Sequence, residues 1–252
     1  MSSLPRVDVV LLVYGRRKYT ELCLDAIVKN TSYNGPFRLW ICVQANREHT
    51  RELVQSFARE HPELVEHVWY YDTAVGITEP VNYFWTHALQ NPEITFFGKL
   101  DNDIVVHPQW LTYMVDCMLY NPEVGVVGGW VLSLTPEHVK GMGQLQGRPG
   151  QYCQGYVVPS HIGGIYTIRR AVVEQVGLLD TNVGVKGYLG WAFYQEKIRR
   201  RGWKVVYSVP AAFTENLDAE WNPRSLARTE YLEYTKEMYY MKHGKPMPNA
   251  DR

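Results

Sequence analysis

"FFGKLDNDIVVHPQWL", residues 96–111, is the stretch on which the reading of this chain turns. A run of aromatic and aliphatic residues ends on two carboxylates, Asp101 and Asp103, one residue apart, and His-Pro closes it. In extended backbone, residues i and i+2 point to one side, so the two carboxylates can face one ligand, and Lys99 points the same way. Neighbouring carboxylates repel unless positive charge lies between them. A divalent cation, Mg2+ or Mn2+, suits such hard oxygens. The plainer alternative is an Asx-type turn that caps a strand and starts a helix at Pro108, with Lys99 as an ion-pair partner of the Asp pair.

Upstream, short apolar runs alternate with helical patterns. "VDVVLLVYG" (7–15), "FRLWICVQ" (37–44), "LVEHVWYY" (64–71) and "ITFFGKL" (94–100) read as strands, the first nearly continuous and therefore buried on both faces. Between them, 19–30, 50–61 and a segment entered near Pro80 carry apolar residues at helical spacing. Downstream, 108–120 is a helix and 124–134 a strand. Residues 163–180 give a strand and a helix stopped at Gly177, and 191–210 a helix, a Gly202 terminator and a strand. Residues 135–160 and the glycine-rich 181–190 read as long loops of a kind that can close over a ligand. One more helix is expected at about 225–243. The alternation predicts an α/β fold with a mostly parallel sheet covered on both faces. Ligands of such sheets collect at the carboxyl ends of the strands, where the Asp pair lies.

Of the 252 residues, 46 % are hydrophobic and 21 % charged, which suits an ordered globular protein with a sizeable core. Lys plus Arg balances Asp plus Glu at 26 each, so no global charge draws the chain to nucleic acid or anionic membrane. Cys23, Cys42, Cys117 and Cys153 lack the spacing of a metal or redox motif and read as small hydrophobes in a reducing compartment. "MSSLPRVDVV" has no signal-peptide pattern, and no apolar run reaches the roughly 18 residues that span a bilayer, so a cytoplasmic location is expected.

The order of these segments resembles a family 2 glycosyltransferase of the GT-A (Rossmann-like) fold over roughly residues 6–216. "VDVVLLVYGRRKYTELCLDAI" resembles the opening strand, nucleotide-side loop and first helix. "LWICVQAN" resembles the second strand, "VGITEPVNYFWTHAL" the segment near the donor diphosphate, and "FGKLDNDIVVHPQWL" the metal-binding D-x-D. "VGVVGG" and "GGIYTIRRAVVEQVGLLD" resemble the acceptor-side strand and helix. The resemblance implies a glycosyltransferase domain at 1–216, with a nucleotide-sugar half at 1–120 and an acceptor half at 121–216. A short C-terminal helical extension follows at 217–252.

The same resemblance implies transfer of a sugar from a nucleoside diphosphate, a UDP-sugar by preference, to a hydroxyl of a saccharide or small glycoside, with Mn2+ or Mg2+ as cofactor. Asp103 is then the direct metal ligand, Asp101 a contact to ribose or metal-bound water, and Glu215 a third ligand. Val13, Tyr14, Gly15 and Arg16 line the donor, Lys99 offsets phosphate charge, and Asn82 lies near the diphosphate. Gln44 stands where the family usually has a base-reading Asp, and an amide both donates and accepts. Tyr188 and Trp191 fall on the acceptor side. The acidic pair expected at the start of the helix before the last strand is replaced by Gly190-Trp191. The proton-accepting base is therefore sought at Asp180 or Glu196, with Asp218 and Glu220 as alternatives, unless the reaction retains configuration and needs none. Two further readings stay open: the same chemistry on a hydroxylated base in DNA, which the basic clusters at 16–18, 169–170 and 199–201 permit but the net charge does not favour, and a sugar-nucleotide-binding pseudoenzyme. A nucleotidyltransferase would want a Gly-rich phosphate loop, and "VYGRRK" has one glycine.

Overall fold

The structure is a computed structural model and describes residues 4–131, 142–144, 154–158, 162–184, 189–209, 212–219 and 222–248. In chain order it runs β1 (Arg6–Tyr14), α1 (Arg17–Asn30), β2 (Phe37–Gln44), α2 (Thr50–Glu60), β3 (Val65–Tyr71), α3 (Thr78–Ala88), β4 (Ile94–Asp101), β5 (Ile104–Val106) and α4 (Trp110–Tyr120). The second half adds β6 (Val124–Gly128), β7 (Trp130–Val131), β8 (Gly143–Gln144), β9 (Gln154–Val157), β10 (Ile165–Arg169), α5 (Arg170–Val176), α6 (Gly190–Arg200), β11 (Lys204–Val209), β12 (Phe213–Asn216) and α7 (Leu232–His243).

Nine strands form the main sheet in the order β3-β2-β1-β4-β10-β6-β11-β9-β8. β3, β2, β1 and β4 are mutually parallel, β6, β11 and β8 run the same way, and β10 and β9 run against them. The expected mostly parallel sheet is thus found, with a reversed strand beside β4. The alternation of β1 explains its continuous apolar run. Val7, Val9, Leu11 and Val13 enter a core with α1, α2 and α4, while Val10 and Leu12 enter a second core with α3, α5 and α6. Both faces of the sheet are therefore covered, as in an α/β/α sandwich.

Two features depart from the expected pattern. The long segment at 135–160 contributes β8 and β9 at 143–144 and 154–157, and apart from residues 142 and 158 the rest of it lies outside the described residues. A second, three-stranded sheet, β5-β12-β7, was not foreseen. In it β12 pairs antiparallel with β5, Glu215 opposite Val105, and parallel with β7. This small sheet carries the chain beyond β12 back to the Asp pair.

The C-terminal segment packs on the first loop and helix. Tyr19, Leu217 and Tyr231 form a small core, with the rings of Tyr19 and Tyr231 edge to face at 4.9 Å. Lys18 pairs with Glu230 at 2.7 Å and Arg47 with Glu237 at 2.9 Å. Gly15 has φ +52, and Tyr234 fills the space that a side chain there would take, so this turn needs a glycine on both counts.

Candidate active site

The carboxyl ends of β1, β2 and β3 place Tyr14, Gln44 and Tyr71 side by side, and β4 ends next to them with Leu12 opposite Asp101. A cavity of about 750 Å³ opens at this edge. One wall holds Leu12, Tyr14, Gln44, Ala74 and Gly76; the floor holds Lys99, Asp101, Asn102 and Asp103. Leu189, Trp191 and Tyr207 also line it, as do Met238, Tyr239 and His243 of α7.

The Asp-Asn-Asp turn is held from three directions. The Asp101 N–H donates to the Gly164 carbonyl at 2.9 Å, the Asn102 N–H to Leu12 at 3.2 Å, and the Asp103 carbonyl accepts from the Leu217 N–H at 2.8 Å. As the strand geometry predicts, Lys99 and Asp101 share a side and pair at 2.5 Å. Asp103 is held by another cation. Arg16 Nη1 lies 3.3 Å from Asp103 Oδ2 and 3.1 Å from Asp218 Oδ2, and its Nη2 donates to Asn102 Oδ1 at 3.2 Å. Burial pulls Arg16 down, but Asp103, Asp218 and Asp101 outweigh it and hold its pKa above the ordinary value. Burial pushes Asp101 up, aided by Asp103 and opposed by Lys99 and Arg16; burial pushes Asp218 up against the pull of Arg16.

Arg16 reaches this point because the turn is built in left-handed backbone. Its own φ and ψ are 54° and 56°, which costs a non-glycine residue about 1–2 kcal/mol. The carboxylate of Glu48 offsets part of this by accepting the N–H groups of Arg16 (3.2 Å) and Arg17 (3.0 Å), which caps α1 from a distant segment.

Several residues named from sequence are brought together in one cavity. Tyr14, Arg16, Gln44, Lys99, Asp101, Asp103 and Trp191 all line the cavity. Trp191 is nearly buried and stacks on Tyr166 at 3.7 Å and 10° between planes, with its indole N–H donating to the Ile162 carbonyl.

Others are corrected. Val13 points into the opposite core, since alternation turns Leu12 and Tyr14 toward the cavity instead. Gly15 lies under Tyr234. Gln44 lines the cavity but both ends of its amide are engaged by the loop after β3: Oε1 accepts from the N–H groups of Val75 (2.8 Å) and Gly76 (3.1 Å), and Nε2 donates to the Gly76 carbonyl (2.9 Å). Its acceptor is filled and one N–H is left, so it shapes the wall and lacks the donor-acceptor pair expected of a base reader. Asn82 ties α3 to the backbone of Leu179 by two 2.9 Å bonds and does not reach the cavity.

Glu215 accepts from Arg224 and Asn222 and does not line the cavity; the turn after β12 brings Asp218 to Arg16 and the Asp pair in its place. Asp180 accepts the Asn182 N–H in a turn, and Glu196 lies half exposed on α6 beside Arg200; neither lines the cavity. Gly190 packs against the Thr78 hydroxyl and the Asp180 carbonyl, leaving no room for a carboxylate side chain at that position. Tyr188 and Glu220 lie outside the described residues.

Two functional residues carried little sequence signal. Asn102 is the middle residue of the Asp pair, 1 % exposed, and donates to the Gly15 carbonyl (2.9 Å) and Thr20 Oγ1 (2.8 Å) while accepting from Arg16. Asp218 was one acid among several, and only its place after β12 distinguishes it.

Residues 5–234 match the family model described as glycosyltransferase like family 2. The chain belongs to that family. The glycosyltransferase fold is also that of solved GT-A structures. The mannosyltransferase PcManGT from Pyrobaculum calidifontis, in complex with GDP-Man and Mn2+, aligns with a TM-score of 0.60 and 18 % identity over 81 % of this chain and 55 % of its own. GalNAc-T7 with UDP, GalNAc and Mn2+ gives 0.60 and 17 % over 94 % and 50 %. S. aureus TarS 1-349 in complex with UDP-GlcNAc gives 0.61 and 14 % over 92 % and 65 %. The chain thus spans about half to two thirds of these neighbours, and at such identities the likeness concerns the fold. No curated protein matches the chain. Among the described residues no helix is long and apolar enough to cross a membrane.

The donor set of this site suits a hard cation. Asp103 and Asp218 present carboxylate oxygens to one point, and Asp218 Oδ1 is buried without a hydrogen-bond partner. Among the described residues no three acidic, His or Cys groups enclose an ion by themselves. Mg2+ and Mn2+ commonly complete such a shell with substrate phosphates and water.

Proposed function

We propose that this chain transfers a sugar from a nucleoside-diphosphate donor, a UDP-sugar by preference, to the hydroxyl of a saccharide or small glycoside. In the reaction the bond from the anomeric carbon to the diphosphate breaks, a bond to the acceptor oxygen forms, and the hydroxyl proton passes to a base or to the released diphosphate. The observation that carries the reading is the charged floor of the cavity: Asp101, Asp103 and Asp218 beside Lys99 and Arg16, at the carboxyl edge of the parallel strands.

With all five groups ionised, three carboxylates outweigh two cations and the floor is negative by one charge. A diphosphate is itself an anion, so the floor alone repels the donor. Mn2+ or Mg2+ on Asp103 and Asp218 would reverse that sign and offset the charge of the leaving diphosphate. Lys99, paired with Asp101, adds a second positive group facing the phosphates. Trp191, backed by Tyr166, presents an aromatic face suited to the apolar side of a sugar ring. Two of the three neighbours above carry UDP or UDP-GlcNAc, which supports trying uridine donors first. A cytoplasmic location belongs to the same reading, since Cys23, Cys42 and Cys117 are buried thiols.

The test is calorimetry of UDP, GDP and their sugars, with Mn2+ and then with chelator, on the wild type and on Asp103→Ala. Binding of one nucleotide that requires both Mn2+ and Asp103 is expected. Binding that ignores both, or none at all, would overturn the reading.

A further inference from the structure

Arg16 occupies the point at which Asp103 and Asp218 converge. We propose that its guanidinium is an internal stand-in for the cation, holding the two carboxylates together in the empty enzyme and exchanging them for the donor's diphosphate when cation and donor bind. The inference rests on the metal-dependent reading above.

The geometry supports it in four ways. First, a single nitrogen, Nη1, reaches Oδ2 of both carboxylates, at 3.3 and 3.1 Å, so cation and guanidinium compete for the same two oxygens. A hard ion at about 2.1 Å would need those oxygens to draw in by about 1 Å each, over the space that Nη1 fills. Second, Arg16 is 4 % exposed, and its carboxylate partners compensate the burial of its charge. Without a positive group, the two half-buried carboxylates would face each other uncompensated. Third, Arg16 lines the cavity and its Nε is buried without a hydrogen-bond partner, so the present arrangement leaves one donor of the fork unsatisfied. Arginine binds phosphate oxygens through two parallel N–H groups, which makes a diphosphate a fitting second partner. Fourth, the backbone of Arg16 is pinned by Glu48. The exchange therefore needs only side-chain rotation, with the turn in place.

The consequence is coupling. Mn2+ alone must displace Arg16 with no anion to receive it, whereas Mn2+ with a diphosphate gives the guanidinium a new partner. Each ligand then strengthens the other by the same factor.

The test is Mn2+ binding without nucleotide, read from the paramagnetic resonance signal of free Mn2+, on the wild type, Arg16→Gly and Arg16→Lys. Glycine tolerates the left-handed backbone and removes the competitor; lysine retains the charge. Arg16→Gly is expected to bind Mn2+ alone about tenfold or more tightly, the scale of one charge-assisted hydrogen bond, and to lose most of the enhancement that UDP confers on the wild type. Arg16→Lys is expected to stay close to the wild type. Should Arg16→Gly not fold, Arg16→Gln carries the same expectation. Unchanged or weaker Mn2+ binding in the neutral variants, with UDP-enhanced binding intact in the wild type, overturns this inference alone. Absence of Mn2+ binding by the wild type, with UDP and with GDP, overturns the metal-dependent reading as well.

Discussion

Replacing Asn102 by alanine tests the centre of this site. The Asn102 side chain makes three hydrogen bonds in a region that is 1 % exposed: Nδ2 to the Gly15 carbonyl and to Thr20 Oγ1, and Oδ1 from Arg16 Nη2. A net hydrogen bond contributes about 1 kcal/mol, and one to a charged group about 1.5–3 kcal/mol. The Gly15 carbonyl keeps a partner in the variant, because Thr20 Oγ1 also donates to it at 3.2 Å, so the full sum is not lost. The expected cost is about 2–4 kcal/mol of a total stability of order 5–15 kcal/mol. Urea unfolding followed by tryptophan fluorescence measures it directly. Asn102→Asp sharpens the test. It keeps the shape and the acceptor for Arg16, but sets a carboxylate oxygen against the Gly15 carbonyl where an N–H₂ had donated. It is expected to be destabilised despite its similar volume. A cost below about 1 kcal/mol for Asn102→Ala, or wild-type stability for Asn102→Asp, would refute the claim that this amide binds the first loop to the Asp pair.

Three other outcomes are expected. Gly98→Ala would set a methyl 2.6 Å from a Val9 methyl in the middle of the sheet, so a loss of about 1–3 kcal/mol on chemical denaturation is expected; a neutral effect would mean that Val9 has room to turn. Glu196→Gln, on the outer face of α6, is expected to leave turnover of the donor identified by calorimetry unchanged, and a fall of a hundredfold would return Glu196 to the chemistry. His67 packs between Trp40 and Trp69, and burial, then His87, lower its pKa below 6.5 against the pull of Glu66. The neutral ring is therefore favoured in the fold: the contribution is complete above pH 6.5 and is lost as pH falls through the lowered value. The melting temperature should fall less between pH 7.5 and 5.5 for His67→Gln than for the wild type; identical profiles would contradict the assignment.

The wall that would hold an acidic pair in an inverting relative has closed over. Thr78 and the Asp180 carbonyl fill the space next to Gly190, and Trp191 turns its indole N–H to Ile162. The neighbouring α6 wall therefore offers an aromatic surface where a carboxylate was looked for. Among the described residues, the carboxylates that line the cavity, Asp101, Asp103 and Asp218, all have cationic partners.

What the sequence by itself determined is everything governed by local period. The fourfold alternation of strand and helix in the first half, the burial of β1 on both faces, and the shared side of Lys99 and Asp101 follow from spacings of two and 3.6 residues. Only the tertiary structure decided which of many acids meet. Asp103 and Arg16 stand 87 positions apart, and Asp218 joins them because β12 registers against β5 with Glu215 opposite Val105. That register gives Glu215 to Arg224 and carries the following turn to the Asp pair. Gln44 likewise has the chemistry to read a base, but the close approach of residues 75–76 uses both ends of its amide. Side-chain type and period are local properties of the chain; which polar groups are already satisfied depends on contacts between distant segments, and those exist only once the sheets have paired.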